Sequence, residues 1–151
     1  MFGSAPRLRP GDFFCKPMKD PIEVAAGLIF CGGKLLITQR PVGRHLAGLW
    51  EFPGGKCETG ETLPECLQRE LLEELGIVVN VRERVMTTTH AYPEKTVKLD
   101  FFFCQLVTGE VQGMEGQAFA WVNKEHLDRY LFPEADTQLL AELSRNTDWW
   151  K

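Results

Sequence analysis

The segment from Thr62 to Gly76 constrains the fold more than any other part of the chain, because it carries the start, the stop and the buried stripe of one helix. Thr62 and Glu65 have the spacing of a capping box, and Pro64 is tolerated in a first helical turn. Gly76 is the residue type that most often ends a helix. Leucines recur every four residues and form a face that can pack on a core, namely Leu67, Leu71 and Leu75. The sequence therefore predicts a helix from Leu63 to Leu75.

The polar side of this predicted helix carries three glutamates, Glu70, Glu73 and Glu74. Residues at these spacings share one face, and each like-charge pair destabilises a helix by roughly 0.2–0.5 kcal/mol. A solvated surface would explain a random acidic triplet. Here, however, the preceding Gly54-Gly55 pair can offer carbonyl oxygens without an obstructing Cβ, and Glu61 stands just before the helix. Such oxygen ligands suit Mg²⁺ or Mn²⁺, so the pattern indicates a divalent cation site for a phosphate-bearing substrate.

The acidic charge of the chain is concentrated in this same stretch. Residues 54–75 hold six carboxylates and two cations, and this excess equals the formal net charge of −4 of the whole chain. Because nucleic-acid polymers bind basic surfaces, we expect no such partner. The longest apolar stretch, Val24 to Cys31, is far shorter than the roughly 20 residues of a membrane span. We therefore expect no membrane association and a cytoplasmic location.

The length of 151 residues and an ordinary composition predict one globular domain. Residues 1–20 show no periodicity and contain three prolines, so we expect an extension that is disordered or was added for expression, with Met18 as a candidate native start. The domain then occupies residues 21–151. Five widely spaced cysteines form no C-x-x-C pair and no zinc pattern, which predicts reduced thiols: Cys15, Cys31, Cys57, Cys66 and Cys104.

The remaining pattern predicts strands on both sides of the acidic helix. Ile22–Cys31 and Lys34–Gln39 are apolar and flank the turn residues Gly32-Gly33, which predicts a hairpin. Further predicted elements are a short extended piece at 50–52, strands at 77–92, 96–107 and 117–122, a short helix at 124–130 and a terminal helix at 137–143. This order predicts a fold of the α/β (α+β) class, an α/β/α sandwich with a mixed β-sheet.

The acidic segment also resembles a known motif. The fixed positions of the Nudix box, G-x5-E-x7-R-E-U-x-E-E-x-G-U with U aliphatic, are all filled here: Gly55, Glu61, Arg69, Glu70, Leu71, Glu73, Glu74, Gly76 and Ile77. From Glu23 to Leu143 the chain is similar to MutT-like nucleoside triphosphate pyrophosphohydrolases of the Nudix hydrolase family. Further segments that carry this similarity are 25–27, 39–40, 49–56, which enters the box, 115–117, 132–133 and 135–136.

The resemblance implies a fold, a reaction and a set of metal ligands. The family fold is an α/β/α sandwich with a mixed sheet, and the reaction is attack of metal-activated water on the β-phosphorus of a nucleoside triphosphate, which releases the monophosphate and pyrophosphate. The cofactor would be Mg²⁺, with Mn²⁺ as a substitute, held by Gly54, Glu70, Glu73, Glu74 and Glu115. Arg69 would orient these glutamates, and Glu61 would either support them or serve as a base, a choice that the sequence leaves open.

The resemblance also implies a substrate site. Arg40 and Lys56 would reach the phosphates, and Lys95, in a turn between two predicted strands, is a further candidate contact. Phe52 and Phe132 would enclose the base. Asp136 occupies a position where MutT has asparagine; an ionised aspartate only accepts hydrogen bonds, whereas a protonated one also donates.

Several alternatives stay open at this point. We expect hydrolysis of 8-oxo-dGTP and cleansing of the nucleotide pool, with CTP or 5-methyl-dCTP as the alternative substrate. A third hypothesis is a non-catalytic nucleotide-binding module. Such modules typically lose carboxylates of the box, whereas all carboxylates of the box are present here. The identity of the general base, the number of metal ions and the choice between monomer and homodimer are not determined by the sequence.

Overall fold

A computed structural model describes residues 20–44 and 46–151 of the chain. The predicted extension, with Cys15 and Met18, lies outside the described residues except for residue 20. The strands are β1 (Ile22–Cys31), β2 (Lys34–Gln39), β3 (Trp50–Glu51), β4 (Gly54–Lys56), β5 (Val78–Ala91), β6 (Thr96–Thr108) and β7 (Phe119–Asn123). The α-helices are α1 (Leu63–Leu75) and α2 (Thr137–Arg145), and 3₁₀ turns cover Lys124–Arg129, Glu134–Asp136 and Thr147–Trp150. None of the helices in this part of the chain has the length and apolarity needed to cross a membrane.

Strand β1 is the centre of the sheet. It pairs in parallel with β6, and on its other side it pairs antiparallel with β4 and, near its end, with β2. Strand β2 also pairs with β3 and β7, and β5 forms a long antiparallel pair with β6. Parallel and antiparallel pairs therefore occur in one sheet, and the predicted mixed sheet is confirmed.

The two α-helices cover opposite faces of this sheet. Alternate residues of β1 point to opposite sides, as strand geometry requires. Ala25 and Ile29 pack in the cluster that holds the leucine stripe of α1, whereas Ala26 and Leu28 pack with Leu139 and Leu143 of α2. The predicted α/β/α sandwich is confirmed.

Helix α1 begins and ends where the sequence predicts. The Glu65 backbone N–H donates to the Thr62 hydroxyl at 3.2 Å, and the Thr62 N–H donates to the Glu65 carboxylate at 3.0 Å. At the other end Gly76 adopts a left-handed conformation with φ of 71°, and its N–H donates to the Leu72 carbonyl at 3.0 Å. These local contacts fix which faces of the helix meet the sheet and the loops.

Strand β4 was not predicted, because a Gly-Gly sequence has little intrinsic preference for a strand. It forms because Gly54 and Gly55 pair with Ala26 and Ala25 of β1. A Cβ atom at Gly54 would overlap the Ala25 carbonyl oxygen, so only glycine permits this close approach. The predicted short helix at 124–130 is instead a 3₁₀ turn, and α2 continues two residues further than predicted, to Arg145.

The prediction of reduced thiols is wrong for one pair of cysteines. Cys57 and Cys66 form a disulfide with their Cα atoms 5.2 Å apart. The reason is the turn between β4 and α1, which folds the chain back and brings the two residues into the distance range of a disulfide. Of the other described cysteines, Cys31 is exposed, Cys104 is buried, and both are free.

Candidate functional site

A cavity of about 440 Å³ brings together most of the residues predicted to bind metal or substrate. It is lined by residues from β1, β2, β4, β6, helix α1 and the loops that follow β2 and β6. Predicted site residues in its lining are Arg40, Phe52, Gly54, Lys56, Glu70, Glu74, Lys95, Glu115 and Asp136. Four other predicted residues are not part of the lining. Arg69 and Phe132 contact the lining residues Glu70 and Phe52, and Glu61 and Glu73 contact Arg69.

The first glycine of the motif has a steric explanation. A Cβ atom at Gly55 would overlap the carboxyl group of Glu70, so the Glu70 side chain lies directly against the backbone of β4. The side chain of Glu70 is only 12% exposed. Strand β4 and helix α1 thereby place Gly54 and Glu70 in the wall of the same cavity.

Arg69 connects the loop before α1, strand β4 and the helix. Its guanidinium donates to both Glu61 oxygens, at 2.6 Å from Nε and 3.0 Å from Nη2. Nη1 donates to Glu70 at 3.0 Å and to Glu73 at 3.2 Å, and Nη2 donates to the Lys56 carbonyl at 3.2 Å. Because every nitrogen of this guanidinium is engaged, Arg69 holds carboxylates in position and has no nitrogen left over for a phosphate.

The same contacts determine the charge of Glu61. Hydrogen bonds from Arg69 and from the Glu58 backbone N–H lower the pKa of Glu61 from 4.5 to about 2. The pKa of Arg69 is raised, chiefly by its hydrogen bond to Glu61. Glu61 is therefore a permanently ionised partner of Arg69, and a carboxylate with so low a pKa is a weak base at neutral pH.

Glu74 lies in the opposite electrostatic situation. Its pKa is raised from 4.5 to about 9, chiefly by burial and in addition by the nearby carboxyl groups of Glu70, Glu115 and Glu51. Without a cation, this carboxyl group holds a proton at neutral pH. A divalent cation is the species that would relieve such a concentration of carboxylates, and hard oxygen donors suit Mg²⁺ or Mn²⁺. The donor set therefore fits the metal implied by the sequence.

The described residues nevertheless contain no group of three or more His, Cys, Asp or Glu side chains already converged as a metal cage. Glu73 illustrates why: its side chain is 60% exposed and is turned toward Arg69. Of these glutamates of α1, Glu70 and Glu74 line the cavity and Glu73 does not.

Glu115 comes from the loop between β6 and β7, and this loop is attached to the end of α1. The backbone N–H groups of Gln112 and Met114 donate to the carbonyls of Leu75 and Glu74, both at 3.0 Å. The Gln117 side chain also donates to the Glu74 carbonyl, at 3.3 Å. These hydrogen bonds satisfy carbonyls that the helix end leaves open and bring Glu115 to the cavity wall.

The other end of the cavity is aromatic and apolar. Phe52 is buried and stacks on Phe132, with ring centroids 5.0 Å apart and an interplanar angle of 23°. Phe101 of β6 meets the Phe52 ring edge-on at 5.9 Å. Phe52 thus forms the wall, and Phe132 supports it from behind.

Asp136 is the buried polar group at this apolar end. It lies in the short 3₁₀ turn before α2 and is 6% exposed. Burial raises its pKa from 3.8 to about 7, the Glu51 carboxylate adds to that rise, and Arg40 opposes it. Near neutral pH the Asp136 carboxyl group is therefore present both as an acceptor and as a protonated donor.

The cavity residues that the sequence did not identify include Arg44, Glu51 and Tyr92. Glu51 accepts a hydrogen bond from Arg40 at 2.8 Å, and burial raises its pKa despite this cation. Arg44 lies 3.5 Å from the Glu115 carboxylate. The sequence contains a signal for a buried functional role only at Glu51, which is a charged residue between Trp50 and Phe52. Nothing in the sequence distinguishes Arg44 and Tyr92 from ordinary loop and turn residues.

The fold and the motif on α1 define the class of Nudix domains. Residues 25–142 match the NUDIX domain, which is most of the chain. Over 130 residues the chain is 40% identical to the 8-oxo-dGTP diphosphatase of Haemophilus influenzae, covering 85% of this chain and 96% of that protein. Over 119 residues it is 40% identical to the CTP pyrophosphohydrolase of Escherichia coli, covering 79% and 88%.

Solved structures agree with the sequence comparison. The crystal structure of a MutT protein from Methanosarcina mazei superposes with a TM-score of 0.75 at 28% identity, covering 85% of this chain and 97% of that one. The chain belongs to the Nudix hydrolase family. Members of this family act on nucleotide substrates and generally use divalent metal cations.

Proposed function

We propose that this chain is a Mg²⁺-dependent nucleoside triphosphate pyrophosphohydrolase that acts first of all on 8-oxo-dGTP and releases the monophosphate and pyrophosphate. The observation that carries the proposal is the division of one cavity into two ends. Gly54 and the carboxylates line the cavity together with Phe52 and Asp136. Glu74 lies near Glu70 and Glu115, whereas the charged groups near Asp136 are Glu51 and Arg40. A nucleotide has the matching division, with metal-binding phosphates at one end and an aromatic base at the other.

The residues that would hold the cation are the Gly54 carbonyl and the carboxylates of Glu70, Glu73, Glu74 and Glu115. When bound, a divalent cation supplies charge neutralisation for the phosphates and lowers the pKa of a coordinated water. Mn²⁺ is the expected substitute, because its ligand preferences are similar.

The chain's own residues prepare this end of the site. Arg69 holds Glu70 and Glu61 in place through hydrogen bonds, which makes both Arg69 and Glu61 positioning residues. With a pKa of about 2, Glu61 is not the general base, and that role falls to a glutamate of α1. Lys56 and Lys95 line the cavity and are suited to neutralise phosphate oxygens, together with Arg40.

Two observations support 8-oxo-dGTP as the preferred substrate. Relatives at 34–40% identity, from Escherichia coli and Haemophilus influenzae, carry the name 8-oxo-dGTP diphosphatase. In addition, the pKa of about 7 lets the Asp136 carboxyl group both donate and accept, as an asparagine amide does.

CTP or 5-methyl-dCTP is the second candidate. The relative named CTP pyrophosphohydrolase is equally similar, at 40% identity. An ionised Asp136 would accept a hydrogen bond from the exocyclic amino group of cytosine. In either case the substrate is a free nucleotide rather than a nucleic-acid polymer, and the location we propose is the cytoplasm.

A substrate panel tests the proposal. The full chain is assayed with Mg²⁺ on 8-oxo-dGTP, dGTP, CTP and 5-methyl-dCTP, and the products are separated so that pyrophosphate is distinguished from phosphate. We expect monophosphate and pyrophosphate, with the highest kcat/KM for 8-oxo-dGTP. A large advantage for 5-methyl-dCTP would establish the second candidate instead.

The Glu73→Gln variant separates an enzyme from a binding module. It should stay folded, because this side chain is exposed, and it should lose most of the activity. Full activity in this variant, or no Mg²⁺-dependent hydrolysis of any triphosphate by the unmodified chain, would contradict the proposal.

A further inference from the structure

We propose that Cys57 and Cys66 are a reversible redox pair, a modification site for small thiols and their disulfides, whose oxidised state holds the Nudix motif in the geometry of the candidate metal site. The effect on metal binding rests on the proposed function, whereas the cysteine chemistry does not. Neither cysteine occupies a fixed position of the motif.

The disulfide joins two elements that both contribute to the candidate metal site. Cys57 directly follows β4, which supplies the Gly54 carbonyl, and Cys66 lies in the first turns of α1, which supplies Glu70 and Glu74. The segment closed by the disulfide contains Glu61. A covalent link at this place therefore fixes the distance between β4 and α1 within the motif.

Hydrogen bonds of Arg69 connect the same two elements as the disulfide. From β4 the Lys56 carbonyl accepts from Arg69 at 3.2 Å, and from the closed segment Glu61 accepts at 2.6 Å. From the helix Glu70 accepts at 3.0 Å. A change in the separation of β4 and α1 thus alters contacts that orient a cavity carboxylate.

The two cysteines differ in exposure. Cys66 is fully buried, with 0% exposure, whereas Cys57 is partly exposed. A thiolate from solution can therefore attack the Cys57 sulfur. In that step the sulfur–sulfur bond breaks, Cys66 leaves as a thiolate and takes up a proton, and Cys57 forms a mixed disulfide.

A second thiol completes the reduction by attacking the sulfur of the reagent in that mixed disulfide. Cys57 is released as a thiol and the reagent leaves as its disulfide, so two small thiols are oxidised for each protein disulfide reduced. The reverse sequence, with a small disulfide such as oxidised glutathione as the oxidant, forms the bond between Cys57 and Cys66 again.

Reduction must move the segment after β4. Two thiols cannot stay at bonding distance, and Cys66 is enclosed by the core beside Leu67 and Leu71. Its Sγ lies 3.7 Å from the Gly55 carbonyl oxygen, which gives the free thiol an acceptor on β4. The displacement therefore falls on Cys57 and on the residues that follow it, up to Glu61.

The test uses the full chain equilibrated in reduced or oxidised glutathione, with thiols then blocked by N-ethylmaleimide and peptides mapped by mass spectrometry. We expect a cross-link between Cys57 and Cys66 in the oxidised sample and two blocked thiols in the reduced one. Mn²⁺ binding without substrate, measured from the free-ion electron paramagnetic resonance signal, should be about tenfold weaker after reduction, the lower end of effects seen when support around a metal site is lost.

Cysteine variants provide the controls. Cys57→Ala should bind Mn²⁺ as the reduced protein does in both buffers, and its Tm should be lower by about 5–10 °C than that of the oxidised protein. Cys66→Ala should behave in the same way, and Cys57→Ala, the change at the more exposed position, is decisive if Cys66→Ala fails to fold. Cys31→Ala, an exposed free cysteine, should respond to both buffers as the unmodified chain does.

Two results would overturn the proposal: no cross-link between Cys57 and Cys66 in oxidised glutathione, or equal Mn²⁺ affinity in the two redox states. The proposed function fails in a different way. An oxidised protein that forms the cross-link and binds Mn²⁺ more tightly, but hydrolyses no triphosphate, would refute the activity and retain the redox pair.

Discussion

The buried carboxyl groups at the carboxylate end of the cavity and at its aromatic end have different charged neighbours. At the carboxylate end, Arg69 neutralises Glu61 and Glu70, while Glu74 lies among other carboxylates and its pKa rises to about 9. At the aromatic end, Asp136 is buried near Glu51 and Arg40, and its pKa rises to about 7, chiefly through burial.

The difference separates two tasks. Burial is the largest cause of both rises, but three carboxyl groups raise the pKa of Glu74 further, and a cation in the proposed metal site would offset their charge. For Asp136 only the Glu51 carboxylate adds to the effect of burial, and hydrogen bonds from a base in the proposed base site would shift its pKa. Under the proposed function, the same type of group would take two roles because its charged neighbours differ.

The largest expected effect follows the change Glu74→Gln. The amide keeps the size of the side chain and removes the charge that a cation requires, so kcat/KM should fall by more than about 100-fold. Steady-state assays with Mg²⁺ measure this, and the Tm should not decrease, because a carboxyl group is removed from among carboxylates. Glu142→Gln, a half-buried glutamate of α2 outside the cavity lining, is the matched control; activity of Glu74→Gln within threefold of this control would contradict the assignment.

The change Asp136→Asn should act on substrate choice and leave the carboxylate end intact. A permanent amide donates at every pH, so the ratio of kcat/KM for 8-oxo-dGTP to that for 5-methyl-dCTP should rise about tenfold, the value of one good hydrogen bond. Asp148→Asn, an exposed aspartate near the carboxyl terminus, serves as the control. An unchanged ratio would contradict the proposal that Asp136 contacts the base.

The pH dependence of stability tests the same carboxyl group without substrate. The pKa of Asp136 is about 7 in the folded chain and 3.8 as a free group, so between these pH values the folded state holds a proton that the unfolded state has lost. The contribution of Asp136 to stability is therefore complete below about pH 4 and is lost as the pH rises through 7. The Tm difference between pH 5 and pH 8, measured with a chelator, should be smaller in Asp136→Asn than in the unmodified chain; equal differences would contradict the raised pKa.

The smallest expected effect is that of Arg44→Gln, at the boundary of the two ends. Arg44 and Glu115 are about half exposed and 3.5 Å apart, and exposed ion pairs contribute less than about 1 kcal/mol. The KM for the triphosphate should rise about two- to fivefold with kcat unchanged. Arg145→Gln, which also breaks an exposed Arg–Glu pair, should leave both constants unchanged; an equal rise in KM for that variant would show that the effect is one of overall charge.

The carboxylate end could be predicted from the sequence because residues close together in the chain determine where helix α1 begins and ends. Thr62, Glu65 and Gly76 fix the ends of α1 through contacts within a few residues, and the helix period then places Glu70 and Glu74 on one side. Glu115 could be predicted only through the family resemblance, because it reaches the cavity by hydrogen bonds to a helix far away in the sequence.

The features that were missed depend on tertiary contacts. Strand β4 exists because Gly54 and Gly55 find β1, and no property of the two glycines alone indicates this. The disulfide between Cys57 and Cys66 depends on the turn that β4 creates. Tyr92 lines the cavity because the turn between β5 and β6 lies beside it. The register of these two strands sets that position, and the spacing of residues in the sequence does not indicate the register.

The attachment of the Glu115 loop to the last carbonyls of α1 has a consequence for how such proteins can be recombined. Helix α1 and this loop must change together, because adding or removing one helical turn would move the carbonyls to which the loop is hydrogen-bonded. The loop and the Glu115 carboxylate would then be displaced from the cavity. A chimera that exchanges α1 alone between two relatives should therefore lose function, whereas one that exchanges α1 together with residues 109–118 should retain it.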